Sequence, residues 1–255
     1  MIDAIYKYLA IPESCRLGKR VFKRLFFQKT QLGAADKKIF ERDVDSILWQ
    51  YTLKPSTIPV AVYRDDQREY VEIAVMQANL RQPARHQRMA EMIQRAIPYP
   101  MLLVLACESR AAISLAGKRF NQADHSKVVA EEFFITDWFS PAAATGVAAD
   151  FLTDMAIGKL PQTNFYALYN GWMERLIAFQ CARFSGQYRL GAPGTDWRAR
   201  RGRLAECVRI EENITQLRRA LKSETQFNRQ VELNMRIKGM EKDDIHTSEN
   251  DSEPP

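Results

Sequence analysis

The sequence predicts an α/β (α+β) protein, with a mixed sheet of about five strands, flanking helices and a C-terminal helical or coiled-coil arm. Three observations predict this class. Apolar runs of strand length alternate with segments of helical periodicity over residues 1–140. Their order is helix, two strands, helix and three strands, which suits one sheet domain. Beyond residue 196 the chain is long, polar and heptad-like.

The first part of the sheet domain is predicted to contain a helix and two strands. Residues 34–50 place apolar side chains at helical spacing, and Pro55 lies just beyond the end of this segment. Two strand-like runs follow at 58–63 and 70–78, with a polar turn at 64–69 between them. We therefore expect a helix packed against an adjacent pair of strands.

The second part of the sheet domain is predicted to contain a helix and three strands. Pro83 precedes an amphipathic helix over residues 84–97. Residues 101–107 (MLLVLAC) form a continuous apolar run between turn residues, which is typical of a strand buried on both faces. Residues 111–116 are expected to pair with it as a hairpin, and residues 128–136 supply one more strand.

The rest of the chain divides into three segments. Residues 141–196 form a helical connector, residues 197–242 a long basic helix or a helical hairpin, and residues 243–255 an acidic tail of disordered composition. A coiled-coil seam is predicted within the basic segment, formed by Ile210, Ile214, Leu217 and Leu221. Because a polar helix is marginal without packing, this seam must be buried against something. Self-association or a protein partner is the expectation.

The net charge of +6 is unevenly distributed. Residues 1–196 carry 25 basic and 20 acidic side chains, and residues 197–242 carry 12 and 6. Residues 243–255 carry five acids and no Lys or Arg. The helical segment is therefore the most basic part of the chain. The net charge of the whole chain understates this, because the acids of the tail offset nearly half of the positive charge on the other two segments.

Composition and spacing exclude several classes of protein. With 46% hydrophobic and 27% charged residues, the chain is neither wholly disordered nor collagen-like. The cysteines (Cys15, Cys107, Cys181 and Cys207) are too dispersed for a disulfide framework or a zinc site. No apolar run approaches the roughly 18 residues that span a bilayer, and no glycine-rich phosphate loop is present. We expect a cytoplasmic protein with no membrane segment, metal or cofactor.

Six short stretches carry a family resemblance that spans nearly the whole chain. They are GKRVFK (18–23), ILWQYTLKP (47–55), AIPYPMLLVL (96–105), AGKR (116–119), FITDW (134–138) and QFNRQVELNMRI (226–237). With them the chain resembles the bacterial family known as domain of unknown function 4391, also described as methylase-associated. The resemblance implies a setting beside DNA methyltransferases and helicases of restriction-modification and phage-defence systems. It implies no catalytic residue. Where the family tends to have a lysine near the end of the second strand, this chain has VMQA (75–78).

A restriction-type nuclease is one alternative, since such enzymes hold Mg²⁺ with acids on strands that follow a helix. The candidates are Asp65, Asp66 and Glu72. However, Ala74 stands where a Glu-x-Lys pair would need its lysine. Asp65 and Asp66 also lie in a predicted turn, where acids favour local backbone hydrogen bonds. A solvated hairpin is the simpler interpretation, and a nuclease-like fold would be degenerate here.

Two basic stretches are candidates for binding the phosphates of nucleic acid without reading bases. The first contains Lys19, Arg20, Lys23 and Arg24, and the second contains Arg198, Arg200, Arg201 and Arg203. The first stretch could instead cover the core with its apolar side chains while its charges are solvated. The second stretch could instead form the outer face of a coiled coil.

We therefore expect a non-catalytic accessory subunit of a restriction-modification or phage-defence system. It would act through methyltransferase or helicase partners and through nucleic acid. The alternatives are the degenerate nuclease and a stand-alone nucleic-acid-binding protein.

Overall fold

The computed structural model describes residues 2–29, 33–191 and 197–249, which form two compact units. The first is Met1–Leu176 and the second is Ile177–Pro255. None of the described helices combines the length and the apolar composition needed to cross a bilayer.

The first unit contains a six-stranded sheet with helices packed against it. Its helices are α1 (Asp3–Leu9), α2 (Lys23–Lys29), α3 (Ala34–Asp43), α4 (His86–Ala96), α5 (Val147–Asp154) and the first part of α6 (Phe165–Ser185). Its strands are β1 (Arg16–Val21), β2 (Val44–Leu53), β3 (Tyr63–Arg64), β4 (Glu69–Tyr70), β5 (Ile73–Leu80), β6 (Met101–Cys107), β7 (Arg110–Phe120) and β8 (Val128–Ile135).

The sheet has the strand order β1-β2-β5-β6-β7-β8 and is mixed. Neighbouring strands are antiparallel except for β5 and β6, which are parallel and joined by the crossover helix α4. The short strands β3 and β4 form a separate hairpin between the end of β2 and the start of β5. The predicted class is therefore confirmed, with six strands in the sheet in place of about five.

The predicted helix over residues 34–50 is wrong in its second half. The helix α3 ends at Asp43, and β2 begins at Val44. β2 is rich in β-branched and aromatic side chains and pairs with both β1 and β5, so tertiary pairing decides its structure. The predicted strand over 58–63 is also wrong, because the strand in this region is Tyr63–Arg64 and Ala61 forms an isolated bridge with Asn164.

The core on one face of the sheet lies beneath α3 and α4. Phe40 and Met89 of these helices are fully buried against Ile47, Met76 and Leu103 of three neighbouring strands. Every residue of β6 is buried, as its continuous apolar sequence predicts. This packing holds α4 against the sheet.

The second unit contains the remainder of α6 and a helical hairpin made by α7 (Trp197–Ser223) and α8 (Phe227–Glu249). Of the two alternatives for the basic segment, the structure shows the hairpin. The predicted seam packs within it: Ile210 and Ile214 are buried with Ile237 of α8. Leu217 and Leu221 pack against the same cluster. α8 extends through the first half of the predicted acidic tail, and residues 250–255 of that tail lie outside the described residues.

Replacing Ile237 by alanine is expected to destabilise the hairpin by about 2 kcal/mol, because it removes a buried side chain from a small cluster. Hydrogen exchange of the α7 and α8 amides would measure the loss of protection. Met235→Ala is the matched control on the same helix, since Met235 is 69% exposed. Equal effects of the two substitutions would contradict the observed packing.

Candidate anion-binding site

A pocket of about 470 Å³ opens where β5 ends and the chain crosses to α4. We call it the arginine pocket, and its lining residues are Arg42, Asp43, Arg81, Gln82, Ala84 and Arg85. It lies beyond the carboxyl end of β5, which belongs to the parallel pair β5–β6. Open sheets bind ligands at this position, because the connections diverge there and leave a crevice.

Asp43 anchors the arginine pocket. Its side chain is 1% exposed and accepts hydrogen bonds from Arg42 Nε at 2.6 Å and Arg42 Nη2 at 3.0 Å. Gln82 Nε2 donates to it at 2.6 Å, and Arg85 Nη1 lies 3.6 Å away. The hydrogen bonds from Arg42 lower the pKa of Asp43 and outweigh the opposing effect of burial. The carboxylate is therefore charged at neutral pH and holds the surrounding donors in place.

Arg81 is fixed by main-chain carbonyls at the end of α3. Its Nη1 donates to the carbonyls of Arg42 at 2.8 Å and Glu41 at 3.3 Å, and its Nη2 lies 3.1 Å from Asp45 Oδ1. The last carbonyls of a helix lack intrahelical partners and carry partial negative charge. Arg81 therefore satisfies them and is held at the rim of the pocket.

Lys23 approaches the same helix end from α2. Its Nζ donates to the carbonyls of Glu41, at 3.3 Å, and Val44. Partial burial and the nearby charge of Arg81 lower the pKa of Lys23. Because Lys23 and Arg81 share the carbonyl of Glu41, the start of α2 lies against the arginine pocket.

The arginines of the pocket remain accessible to a ligand. The side chains of Arg42, Arg81 and Arg85 are 59%, 53% and 51% exposed. Arg85 also has a left-handed backbone (φ 60°) at the N-cap of α4, an arrangement that is strained for a residue with a side chain. Three guanidinium groups whose orientations are set by fixed acceptors suit an anion with several oxygens, such as a phosphate.

The structure brings the first predicted basic stretch to this end of the sheet. Lys19 and Arg20 are exposed on the edge strand β1, and Arg24 is exposed on α2. β1 ends at Val21, which pairs with Ile47 near the start of β2. Lys19 and Arg20 therefore lie along the sheet edge beside Trp49 and Leu48 of β2, and the chain reaches the end of α3 at Lys23.

The second predicted basic stretch lies in the other unit. Arg198, Arg200, Arg201 and Arg203 are in the first two turns of α7. Arg200 Nη1 donates to the carbonyl of Arg189 at 2.7 Å. Arg203 is exposed there, and Arg200 and Arg201 are partly buried.

The nuclease candidates lie at the opposite end of β5, at the β3–β4 hairpin. Asp65 accepts hydrogen bonds from the amides of Gln67 at 2.8 Å and Arg68 at 2.6 Å, and from Tyr63 Oη at 2.8 Å. Burial opposes ionisation, but these bonds lower the pKa of Asp65 overall. Asp66 and Glu72 follow in the same region, and Asp66 is exposed. Within the described residues, no group of three or more His, Cys, Asp or Glu could hold a metal ion.

A row of amides and hydroxyls occupies β2 and β5 beside the arginine pocket. Gln77 Oε1 accepts from Tyr6 Oη at 2.8 Å and Gln50 Nε2 at 3.0 Å. Gln77 Nε2 donates to Asn79 Oδ1 at 2.7 Å, and Asn79 Nδ2 donates to Ser46 Oγ at 2.9 Å. Burial raises the pKa of Tyr6 well above its usual range. Amides do not ionise, so this row offers structural hydrogen bonds and no general acid or base at neutral pH.

Sequence reasoning proposed the basic residues of β1 and α2 as a binding site but did not propose the arginine pocket. Arg42 and Asp43 precede β2, whereas Arg81 and Arg85 follow β5. The sequence signal for this pocket is the presence of Arg81 and Arg85 directly after one strand and before the next helix. That signal becomes useful only when β2 and β5 are known to pair.

The fold and site together define an α+β protein with a basic pocket at the carboxyl end of its parallel strand pair. The family model described as "Domain of unknown function (DUF4391)" matches residues 9–243, and the chain belongs to that family. No curated protein and no solved structure matches the chain.

Proposed function

We propose that the protein is a non-catalytic accessory subunit that binds the phosphate backbone of nucleic acid through the arginine pocket. The observation that supports this most is that one pocket is lined by three half-exposed guanidinium groups. Those of Arg42 and Arg85 contact buried Asp43, and that of Arg81 contacts Asp45. Phosphate contacts from arginines supply affinity and register without reading sequence. Because the donors are already oriented, little side-chain entropy is lost when a phosphate binds.

Nucleic acid is favoured over a small anion because the positive surface extends beyond the pocket. Lys19, Arg20 and Arg24 are exposed in the same stretch as Lys23, which shares the carbonyl of Glu41 with Arg81, and a single phosphate in the pocket would leave them without a role. A polymer of phosphates could contact both regions together. The amide row on β2 and β5 favours binding over catalysis, since its amides do not ionise and burial raises the pKa of Tyr6 well above neutral pH.

The family resemblance supports a setting in the cytoplasm beside DNA methyltransferases and helicases of restriction-modification and phage-defence systems. In that setting the hairpin of α7 and α8 is the proposed contact for a protein partner. Its outer surface is rich in charged side chains, while the predicted seam is used internally. A stand-alone nucleic-acid-binding protein would use the same pocket but would purify without those partners.

Replacing Arg85 by glycine is expected to weaken duplex DNA binding by about tenfold and to stabilise the fold by about 1 kcal/mol. The binding loss follows from removal of one guanidinium, and the gain follows from relief of the left-handed backbone strain at φ 60°. Fluorescence anisotropy across a salt series should show a shallower dependence of log K on log salt, by about 0.9 for one lost phosphate contact. Urea denaturation measures the stability.

Arg64→Gln is the matched control, because Arg64 is 67% exposed and lies at the opposite end of the sheet. It removes the same charge and should leave specific affinity and stability nearly unchanged. If Arg64→Gln and Arg85→Gly reduce binding equally, binding depends on net charge alone and the arginine pocket is not the site.

A further inference from the structure

Phe22 is an exposed aromatic side chain within a basic stretch of the sequence. It lies between β1 and α2 and is 61% exposed. The guanidinium carbon of Arg24 lies 5.4 Å from the centre of its ring, within the range of a cation–π contact. Arg20 and Lys23 flank it in the sequence. In contrast, the neighbouring Phe26 is buried against Phe40, so the core does not require Phe22.

Phe22 directly precedes Lys23, whose side chain reaches the same helix end as Arg81 of the arginine pocket. The following residue, Lys23, donates to the carbonyl of Glu41, which also accepts from Arg81. Phe22 is therefore adjacent in the chain to Lys23, which shares a carbonyl acceptor with Arg81 of the pocket. A flat apolar surface and several phosphate donors are presented at the same end of the sheet.

We infer that Phe22 is a stacking platform for a base of single-stranded nucleic acid whose phosphates lie on the surrounding arginines. This inference rests on the proposed function and adds its substrate class. Aromatic side chains bind single strands because every base has a π face, and the cations hold the backbone. In a duplex the base faces are already stacked, so the ring of Phe22 finds no equivalent partner there.

An anionic membrane is the competing ligand for an exposed aromatic side chain with basic neighbours. Membrane-surface binding usually uses a long amphipathic helix or two separate anchoring signals. Here Phe22 precedes α2, a helix of seven residues (Lys23–Lys29), and follows an edge strand. The structure favours the nucleic acid, because so short a helix is a weak membrane anchor and the arginine pocket supplies several oriented phosphate donors.

The test measures binding of the full chain to a labelled oligothymidylate, to a DNA duplex and to phosphatidylserine vesicles. Phe22→Ala is expected to weaken single-strand binding by about tenfold and to leave duplex binding unchanged. Phe22→Trp should retain affinity, and its fluorescence should be quenched by the oligothymidylate. Phe227→Ala is the matched control, since Phe227 is 74% exposed in the other unit.

The outcomes separate this inference from the proposed function. If Phe22→Ala leaves single-strand binding unchanged while Arg85→Gly weakens nucleic-acid binding, the platform is overturned and the proposed function stands. Equal losses on single strand and duplex also overturn the platform. Vesicle binding that depends on Phe22 identifies a membrane site instead. If the wild-type chain binds neither nucleic acid, both ideas fail. Circular dichroism of each variant establishes that the exposed substitution has left the fold intact.

Discussion

Asp43→Ala is expected to lower the free energy of unfolding by about 3 kcal/mol and to disorder the arginine pocket. The carboxylate is buried and accepts from Arg42 and Gln82. Its removal leaves Gln82 Nε2 without this acceptor and releases Arg42 and Arg85 from their shared anchor. Urea denaturation would measure the stability, and DNA binding should weaken even though no positive charge has been removed.

The loss of DNA binding in Asp43→Ala is the informative result, because deleting an acid would ordinarily strengthen binding to DNA. Asp45→Ala is the matched control, since Asp45 is 54% exposed and pairs with Arg81 in the same area. Stronger DNA binding by both variants would show that the pocket arginines need no anchor.

The stabilisation from Asp43 also has a defined pH dependence. Because the pKa of Asp43 is lowered in the folded protein, its contribution is fully present above the unfolded pKa of about 4. It is lost as the pH falls through the lower folded pKa. The difference in stability between the wild type and Asp43→Ala should therefore shrink only in acid.

The strands that are buried on both faces could be predicted from the sequence. β6 is apolar throughout and fully buried, and β7 and β8 follow it as predicted. The crossover helix α4 was equally clear, because its apolar residues Met89, Met92 and Ile93 repeat at helical spacing and are all buried. In these elements the local pattern and the tertiary environment agree.

Partly exposed elements could not be predicted in the same way. The edge strand β1 has five exposed residues and one half-buried residue. Because neither face of β1 is buried, its sequence does not alternate between apolar and polar residues. Over a few residues, the spacing of apolar residues in β2 fits a helix as well as a strand. Its pairing with β1 and β5 decides for the strand.

The error at β2 also concealed the arginine pocket. In a helix spanning residues 34–50, Asp43 would lie within the helix, and no helix end would be available to Arg81. In the structure α3 stops at Asp43, and the pairing of Val44 with Leu80 places Arg81 beside the last carbonyls of that helix. The site is thus a product of strand register, which the local sequence does not encode.

Lys118 shows a second use of a cation at a helix end, in this case deep in the core. It lies on β7 and is 3% exposed, and its Nζ donates to the carbonyls of Ile97, at 2.7 Å, and Gln94 at the end of α4. Burial lowers the pKa of Lys118 to about 7. The ammonium therefore joins α4 to the sheet, while its desolvation opposes folding whenever it is charged.

Comparison of the wild type with Lys118→Met is expected to reveal this titration. Because the folded protein binds fewer protons at Lys118 than the unfolded chain does, wild-type stability should rise relative to the variant between about pH 7 and pH 10. The slope should approach about 1.4 kcal/mol for each pH unit, measured by urea denaturation. Lys127→Met removes an ammonium that is 72% exposed and should show no such slope. A pH-independent difference between the wild type and Lys118→Met would mean that the carbonyls of Gln94 and Ile97 keep the ammonium charged in the folded protein.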